Sequence, residues 1–340
     1  MTDSSPPLLA PAPRTDPIRI EGRDPVPVTL LTGFLGAGKT TLLNHILNGD
    51  HGLRIGVLVN DFGDINIDAE LVEGIDDSTI SLTNGCICCE MRDDLVQSIE
   101  DLLIGNEDID YVVVEASGVA EPSGIVLTFL DRRYEELFTL DGIACLVDAE
   151  AIFTHDDDDQ LNMLKLRQIG FADLVVLNKT DLVRREHVEV IREWIGLHMS
   201  RVRVVETTHG RLPMEILLGV GRFDPALLND LPTDEVGISF DRWSHRSPQP
   251  FSRQALEQMV KRQLPETVYR CKGIIALADD PDHRYALQIV GRRTHVKRLD
   301  VWPTADHSSA IVAIGRELDN EMLKRLFDSC TSEPNSADDR

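Results

Sequence analysis

The segment Gly33-Phe34-Leu35-Gly36-Ala37-Gly38-Lys39-Thr40, set directly behind an apolar run at residues 28–32, constrains the fold more than any other part of the chain. It matches the pattern G-x-x-x-x-G-K-[ST] at every fixed position, and a helical pattern follows over residues 39–47. Strand, glycine-rich turn and helix in that order predict the first unit of a mainly parallel α/β sheet. The glycines let backbone N–H groups close around phosphate oxygens at a helix N-terminus. Lys39 is placed to neutralise β- and γ-phosphates, and the Thr40 hydroxyl to ligate Mg²⁺. Gly33, Gly36, Ala37, Gly38, Lys39, Thr40 and Thr41 are the expected phosphate-binding residues.

The chain continues in the same style. Pro25 and Pro27 lack N–H donors, which places the start of the first strand at Val28. Short apolar runs at 55–59, 111–114, 143–147, 174–177 and 202–205 predict further strands, with helical patterns at 93–103, 161–169 and 186–198. Nearly continuous apolar runs are expected of strands buried on both faces. Beyond a Pro- and Asp-punctuated stretch, Ser252 is a candidate cap for a helix reaching Arg262. Strands are expected at 273–278, 285–290 and 311–314, and a last helix at 320–327. The predicted organisation is a disordered lead-in (1–25), a P-loop domain with a mainly parallel sheet (26–222), a linker (223–235), a smaller α+β domain (236–330) and a disordered tail (331–340).

Two further motifs belong to a nucleotide site. Asn178-Lys179-Thr180-Asp181 follows a strand-like run that would deliver it to the base end of the pocket. A carboxylate at Asp181 can accept from two N–H donors of guanine, a pattern adenine does not offer, so GTP is expected over ATP. Asn178 and Lys179 would hold the loop and cover the base. In Tyr111-Val112-Val113-Val114-Glu115-Ala116-Ser117-Gly118 a strand ends in an acid, and Gly118 is a candidate neighbour of the γ-phosphate. Glu115 would either hold the Mg²⁺ hydration shell or orient the attacking water. Lys39 and Glu115 are the candidate catalytic residues.

Three of the chain's six cysteines fall within Cys86-Ile87-Cys88-Cys89. Metal binding, redox chemistry and inert packing are the alternatives; a disulfide between adjacent Cys88 and Cys89 would be strained. Three soft thiolates suit zinc or cobalt and leave a fourth position to fill. Asp61 and Asp64, just after the second strand, are candidates to approach that metal or the Mg²⁺. His209, His245, His283 and His295 are further candidates, though a histidine in such a setting is more often an ordinary surface or satisfied one. The run Asp156 to Asp159 reads as a solvated loop, and Cys145, Cys271 and Cys330 as small hydrophobes. A net charge of −24 would repel nucleic acid and anionic lipid, so neither is an expected partner. No apolar stretch is long enough to span a membrane, and the N-terminus lacks the basic start of a signal peptide, so a reducing cytoplasm is expected.

Taken in order, the phosphate loop, Asn60 to Asp64, Cys86-Ile87-Cys88-Cys89, Glu115-Ala116-Ser117-Gly118 and Asn178-Lys179-Thr180-Asp181 resemble the CobW-type GTPases, over residues 28–327. Tyr269-Arg270-Cys271-Lys272-Gly273 and Ile314-Gly315 match that family's C-terminal domain. The resemblance implies a GTP-hydrolysing metallochaperone for zinc or cobalt that delivers the ion to a client metalloprotein. It implies Cys86, Cys88 and Cys89 as ligands of the transported metal, and Glu115 and Gly118 as the groups that respond to the γ-phosphate. Where the family commonly has two glutamates, this chain has Asp61 and Asp64, each one methylene shorter. The His-rich stretches of some members are absent from the sequence. Two alternatives remain: a zinc-binding regulator or buffer with incidental hydrolysis, and a small-molecule kinase, against which the Asn178–Asp181 motif counts.

Overall fold

The computed structural model describes residues 18–49, 52–60, 79–82, 91–154, 158–199, 202–218, 241–302 and 307–332. The apolar runs become strands of one sheet. In chain order the first half contains β1 (Val26–Gly33), α1 (Lys39–Leu47), β2 (Ile55–Asn60), β3 (Thr79–Leu82), α2 (Met91–Gly105), β4 (Tyr111–Glu115), α3 (Ser123–Phe129), β5 (Phe138–Asp148), α4 (Asp159–Gly170), β6 (Leu174–Asn178), α5 (Arg185–His198), β7 (Arg203–Glu206) and the single turn α6 (Met214–Leu217). The sheet has seven strands in the order β3-β2-β4-β1-β5-β6-β7, all paired parallel. Every residue of β4 and β6 is buried, which is why their sequences read as unbroken apolar runs. On one face, Leu42, Leu43 and Ile46 of α1 pack on Leu31, Val57, Val113 and Leu146. On the other, α2 and α3 bring Ile99, Leu102 and Phe129 against Val28, Leu58 and Val112.

The second half contains β8 (Asp241–Ser247), α7 (Arg253–Arg262), β9 (Val268–Leu277), β10 (Asp280–Val290), β11 (Arg293–Val301), β12 (Ser309–Gly315) and α8 (Asn320–Asp328). Its five strands form an antiparallel sheet in the order β11-β10-β9-β12-β8. Leu256, Met259 and Val260 of α7 and Leu323 and Phe327 of α8 cover it. Ser252 caps α7 as expected, its hydroxyl accepting from the Ala255 N–H at 3.3 Å. Asp158, at the end of the acidic run, caps α4 by accepting from the Gln160 and Leu161 N–H groups.

Two features correct the expected boundaries. β1 starts at Val26 and includes Pro27. β1 meets β5 from Val26 onward but meets β4 from Val28 onward, and the Val26 N–H points to Leu137 on the β5 side. Backbone directions alternate along a strand, so the missing donor of Pro27 falls on the side where no ladder begins. The second feature is charge. β5 runs from Phe138 through Asp141, and β9 from Val268 through Arg270 and Lys272, so both start well before their apolar runs.

These interrupting charges face one another. The Arg270 side chain is 1% exposed and that of Asp141 is 2% exposed; Arg270 Nη2 lies 2.5 Å from Asp141 Oδ1 and 2.7 Å from Oδ2. The Tyr111 hydroxyl donates to the same carboxylate and lies 2.7 Å from the Thr29 hydroxyl. Burial would raise the Asp141 carboxyl, but the charge and hydrogen bond of Arg270 outweigh it and hold it below the usual range. Burial, with the Asp141 charge, pushes Tyr111 well above its ordinary value. Arg270 Nη1 also donates to the Leu217 carbonyl at 3.1 Å, and Lys272 Nζ to that of Leu218 at 3.2 Å. The second sheet is thereby fixed to β1, β4 and β5 and to α6. Tyr269 and Ile314 enter the core beside α1.

Candidate nucleotide and metal site

A parallel sheet sends the C-terminal ends of its strands to one edge, where ligands bind. Gly33, Glu115 and Asn178 end β1, β4 and β6 there. Gly38 caps α1 with φ +100°, and a Cβ at this position would stand 2.5 Å from Asn178 Nδ2. Both the backbone conformation and the close approach require glycine. Lys39 is buried, and its ammonium donates to the carbonyls of Gly33 at 3.1 Å and Phe34 at 3.4 Å. The charge therefore sits within the loop, while Thr41 is exposed at the start of α1.

Thr40 Oγ1 donates to Glu115 Oε1 at 3.2 Å. The carboxylate is 2% exposed and its residue pairs with Leu31 of β1 and Val59 of β2. Two hard oxygens brought together at the open end of a helix N-terminus fit a Mg²⁺ site. Gly118 lies over the loop, where an added Cβ would come within 2.7–2.9 Å of Leu35 atoms. The two motifs on the phosphate side are thus in contact.

On the base side, Asn178 joins two loops. Its Nδ2 donates to the Ala37 carbonyl at 2.9 Å, and its Oδ1 accepts from the Gly210 N–H at 2.9 Å. Lys179 is left-handed, with φ 62°, and its ammonium pairs with Asp148 at 2.6 Å. Asp181 stands exposed in a short turn, its carboxylate accessible to a ligand. Thr180 donates to the Thr207 carbonyl from both its N–H and its hydroxyl. The Asp148 carboxylate and the loop Thr207-Thr208-His209-Gly210, of which the sequence singled out only His209 and as a metal candidate, adjoin these motif residues. The signal available for the loop was its position, directly behind the apolar run at 202–205. His45 of α1 is held below its ordinary value by burial, then by the charges of Arg211 and His209.

Asp61, Asp64, Cys86, Cys88 and Cys89 lie outside the described residues. The strands that lead to them are described. Val59 of β2 pairs with Glu115, and Asn60 pairs with Leu82, the last residue of β3. The chain therefore leaves β2 beside Glu115 and leaves β3 one strand further out, and Cys86 follows Leu82 by four positions. Among the described residues no three His, Cys, Asp or Glu side chains gather into a metal-ligating group. The candidate histidines are dispersed: His209 is exposed, His245 faces Asp328 at 3.0 Å, His283 faces Asp280 at 2.9 Å, and His295 is in β11. Cys145 and Cys271 are buried, and burial pushes both thiols up to about 12, so they stay protonated. Among the described residues no helix is long and apolar enough to cross a membrane.

Residues 27–206 match the family model described as CobW/HypB/UreG, nucleotide-binding domain, and residues 240–331 match the cobalamin synthesis protein cobW C-terminal domain. Similar proteins include the zinc chaperone YjiA of Escherichia coli, 39% identical over 89% of this chain and 98% of that protein. The zinc-regulated GTPase metalloprotein activator 1 of Dictyostelium discoideum is 32% identical, covering 84% of this chain and 70% of its own length. The zinc chaperone CobW of Pseudomonas aeruginosa is 31% identical over 88% of this chain and 89% of its own.

Proposed function

The chain belongs to the CobW/HypB/UreG family, with a CobW C-terminal domain, and from that membership we propose that it is a slow GTPase and zinc metallochaperone. In this reading the nucleotide sets how tightly a thiolate site of Cys86, Cys88 and Cys89 holds Zn²⁺ before delivery to a client metalloprotein. The observation that carries it is the register Val59–Glu115 and Asn60–Leu82. It starts the Asp61 segment from a strand end beside the acid of the γ-phosphate motif, and the cysteine segment from the end of the next strand out. Relatives named as zinc chaperones and as a zinc-regulated GTPase support zinc over cobalt as cargo.

The residues divide the work by place. The backbone of 33–40 and the Lys39 ammonium bind the phosphates and spread their charge. Thr40 and Glu115 would hold Mg²⁺, which supplies charge neutralisation between the β- and γ-phosphates when bound. Asp181 selects guanine through its two acceptor oxygens, while Asn178 keeps that loop in register with the phosphate loop. Water adds to the γ-phosphorus, the bond to the bridging oxygen breaks, and GDP and phosphate leave. Contacts to the γ-phosphate are lost at that point. Zinc release follows if the cysteine site holds the ion more weakly with GDP than with GTP.

Replacing Cys86, Cys88 and Cys89 together with serine tests this. The expected result is loss of tight zinc binding with basal GTP hydrolysis retained. Zinc binding that survives the triple substitution refutes the assignment of the ligands. A wild-type chain that transfers phosphate to an acceptor rather than to water refutes the GTPase reading.

A further inference from the structure

Gln168, in α4, is 1% exposed and lines a cavity together with Phe34 and Leu35 of the phosphate loop. A primary amide has two N–H donors, and this one directs Nε2 to two carbonyls of the same short loop. It lies 3.2 Å from the Gly118 oxygen and 3.1 Å from the Ala120 oxygen. Both acceptors belong to the segment that begins at Glu115. The carbonyl of Gly118 is held by Gln168, and a Cβ added at Gly118 would come within 2.7–2.9 Å of Leu35 of the phosphate loop.

The same helix holds the other side of that contact. Lys165 donates to the carbonyls of Ile152 at 2.8 Å and Thr154 at 2.7 Å, and its ammonium lies 5.4 Å from the centroid of the Phe34 ring. One residue before Gln168, Arg167 pairs with Glu121 at 2.9 Å, at the far end of the γ-phosphate loop. The Asp158 cap anchors the helix at its start. Phe34 and Leu35 of one motif and Gly118 to Glu121 of the other are therefore referenced to a single rigid element.

We propose that Gln168 is a positioning residue for GTP hydrolysis: its amide fixes the backbone from Gly118 to Ala120 so that the loop meets the γ-phosphate in one geometry. This role rests on the GTPase reading above. On the GTPase reading this loop supplies a donor to a γ-phosphate oxygen, and a small displacement of a preorganised donor lowers the rate without removing the nucleotide. GDP carries no γ-phosphate, so its affinity is insensitive to Gln168. A purely structural glutamine makes no such distinction between the two nucleotides.

The test uses the full chain with Gln168→Leu, which removes both donors at similar volume, and Gln168→Asn, which keeps an amide but shortens its reach by one methylene. Steady-state kcat and KM for GTP, the Kd for GDP and the thermal unfolding midpoint are measured for each. Expected is a fall in kcat of about tenfold in Gln168→Leu, the rate equivalent of roughly one net hydrogen bond, with GDP affinity within about twofold of wild type. Gln168→Asn is expected to fall between Gln168→Leu and wild type. Unchanged kcat in both variants overturns the proposal while leaving the GTPase reading in place. Equal weakening of GTP and GDP with kcat retained also overturns it, in favour of a structural role. A wild-type chain that does not hydrolyse GTP refutes the underlying reading and this role with it.

Discussion

Replacing Arg270 with methionine removes one partner of an ion pair that is almost completely buried. Two bonds to Asp141 at 2.5 and 2.7 Å are lost, along with the donor to the Leu217 carbonyl at 3.1 Å. Asp141 then keeps the Tyr111 hydroxyl and the electrostatic influence of Lys272 but loses its hydrogen-bonded countercharge. Breaking a buried pair from one side costs about 3–5 kcal/mol, because a charge is left desolvated. In a chain of this size each kcal/mol lowers the unfolding midpoint by about 2–4 °C, so a drop of at least ~6 °C is expected. Thermal unfolding followed by circular dichroism at neutral pH reads it. Asp141→Asn combined with Arg270→Met removes the stranded charge, and is expected to recover at least about 1 kcal/mol relative to Arg270→Met alone. The pH dependence has a definite sign. Asp141 is depressed in the folded state, so its contribution is fully present above the ordinary carboxyl value of about 3.9. It is lost as pH falls through the lower folded value, and the gap between wild type and variant should close below about pH 4. An Arg270→Met midpoint within about 2 °C of wild type, or a double variant no more stable than the single one, refutes the reasoning.

Three other outcomes follow from the site. Asn178→Ala removes the donor to Ala37 and the acceptor for Gly210, so affinity should fall about 10- to 100-fold for GDP and GTP alike, measured by fluorescent-nucleotide titration. Asp181→Asn replaces a double acceptor with one acceptor and one donor; GTP binding should weaken at least about tenfold while xanthosine triphosphate improves, in the same titration. Cys145 and Cys271, buried with thiols pushed up to about 12, should resist alkylation by iodoacetamide at pH 8 in the native chain and react after denaturation, read by peptide mass spectrometry.

The central strands were legible from sequence because they are buried on both faces, leaving apolar runs such as those of β4 and β6. The strands that escaped were β3, β8 and β11, and each is the edge of its sheet. β11, Arg-Thr-His-Val-Lys-Arg-Leu-Asp-Val, has one neighbour and is half-exposed or exposed throughout, whereas β7, also an edge, is buried and shows as an apolar run. Hydrophobic periodicity cannot mark an exposed edge such as β11. The early parts of β5 and β9 were hidden for a different reason. Asp141 and Arg270 each interrupt an apolar run, and each is tolerated inside a strand because it meets the other across 129 positions of sequence. Pairing at that separation leaves no local signal.

The phosphate loop, Glu115 and Asn178 were readable because their chemistry fixes residue type and spacing. Asp148 and the contact of Thr207 to Gly210 with Asn178 and Thr180 were not, since one is a lone carboxylate at a strand end and the other a four-residue turn that acts largely through its backbone. Gln168 shows the same limit. Its role depends on two main-chain oxygens some 50 positions away, and a glutamine on a helix carries no mark of that.

Nucleotide-controlled delivery requires one linkage: nucleotide state must change the affinity of the thiolate site for zinc. The most direct measurement is the Kd for Zn²⁺ of the full chain with a non-hydrolysable GTP analogue and with GDP, each with Mg²⁺, by competition against a zinc chelator. A coupling of about 1–3 kcal/mol predicts a five- to 150-fold difference, tighter with the analogue. Equal affinities in the two states contradict it, because hydrolysis would then have no means of releasing the metal.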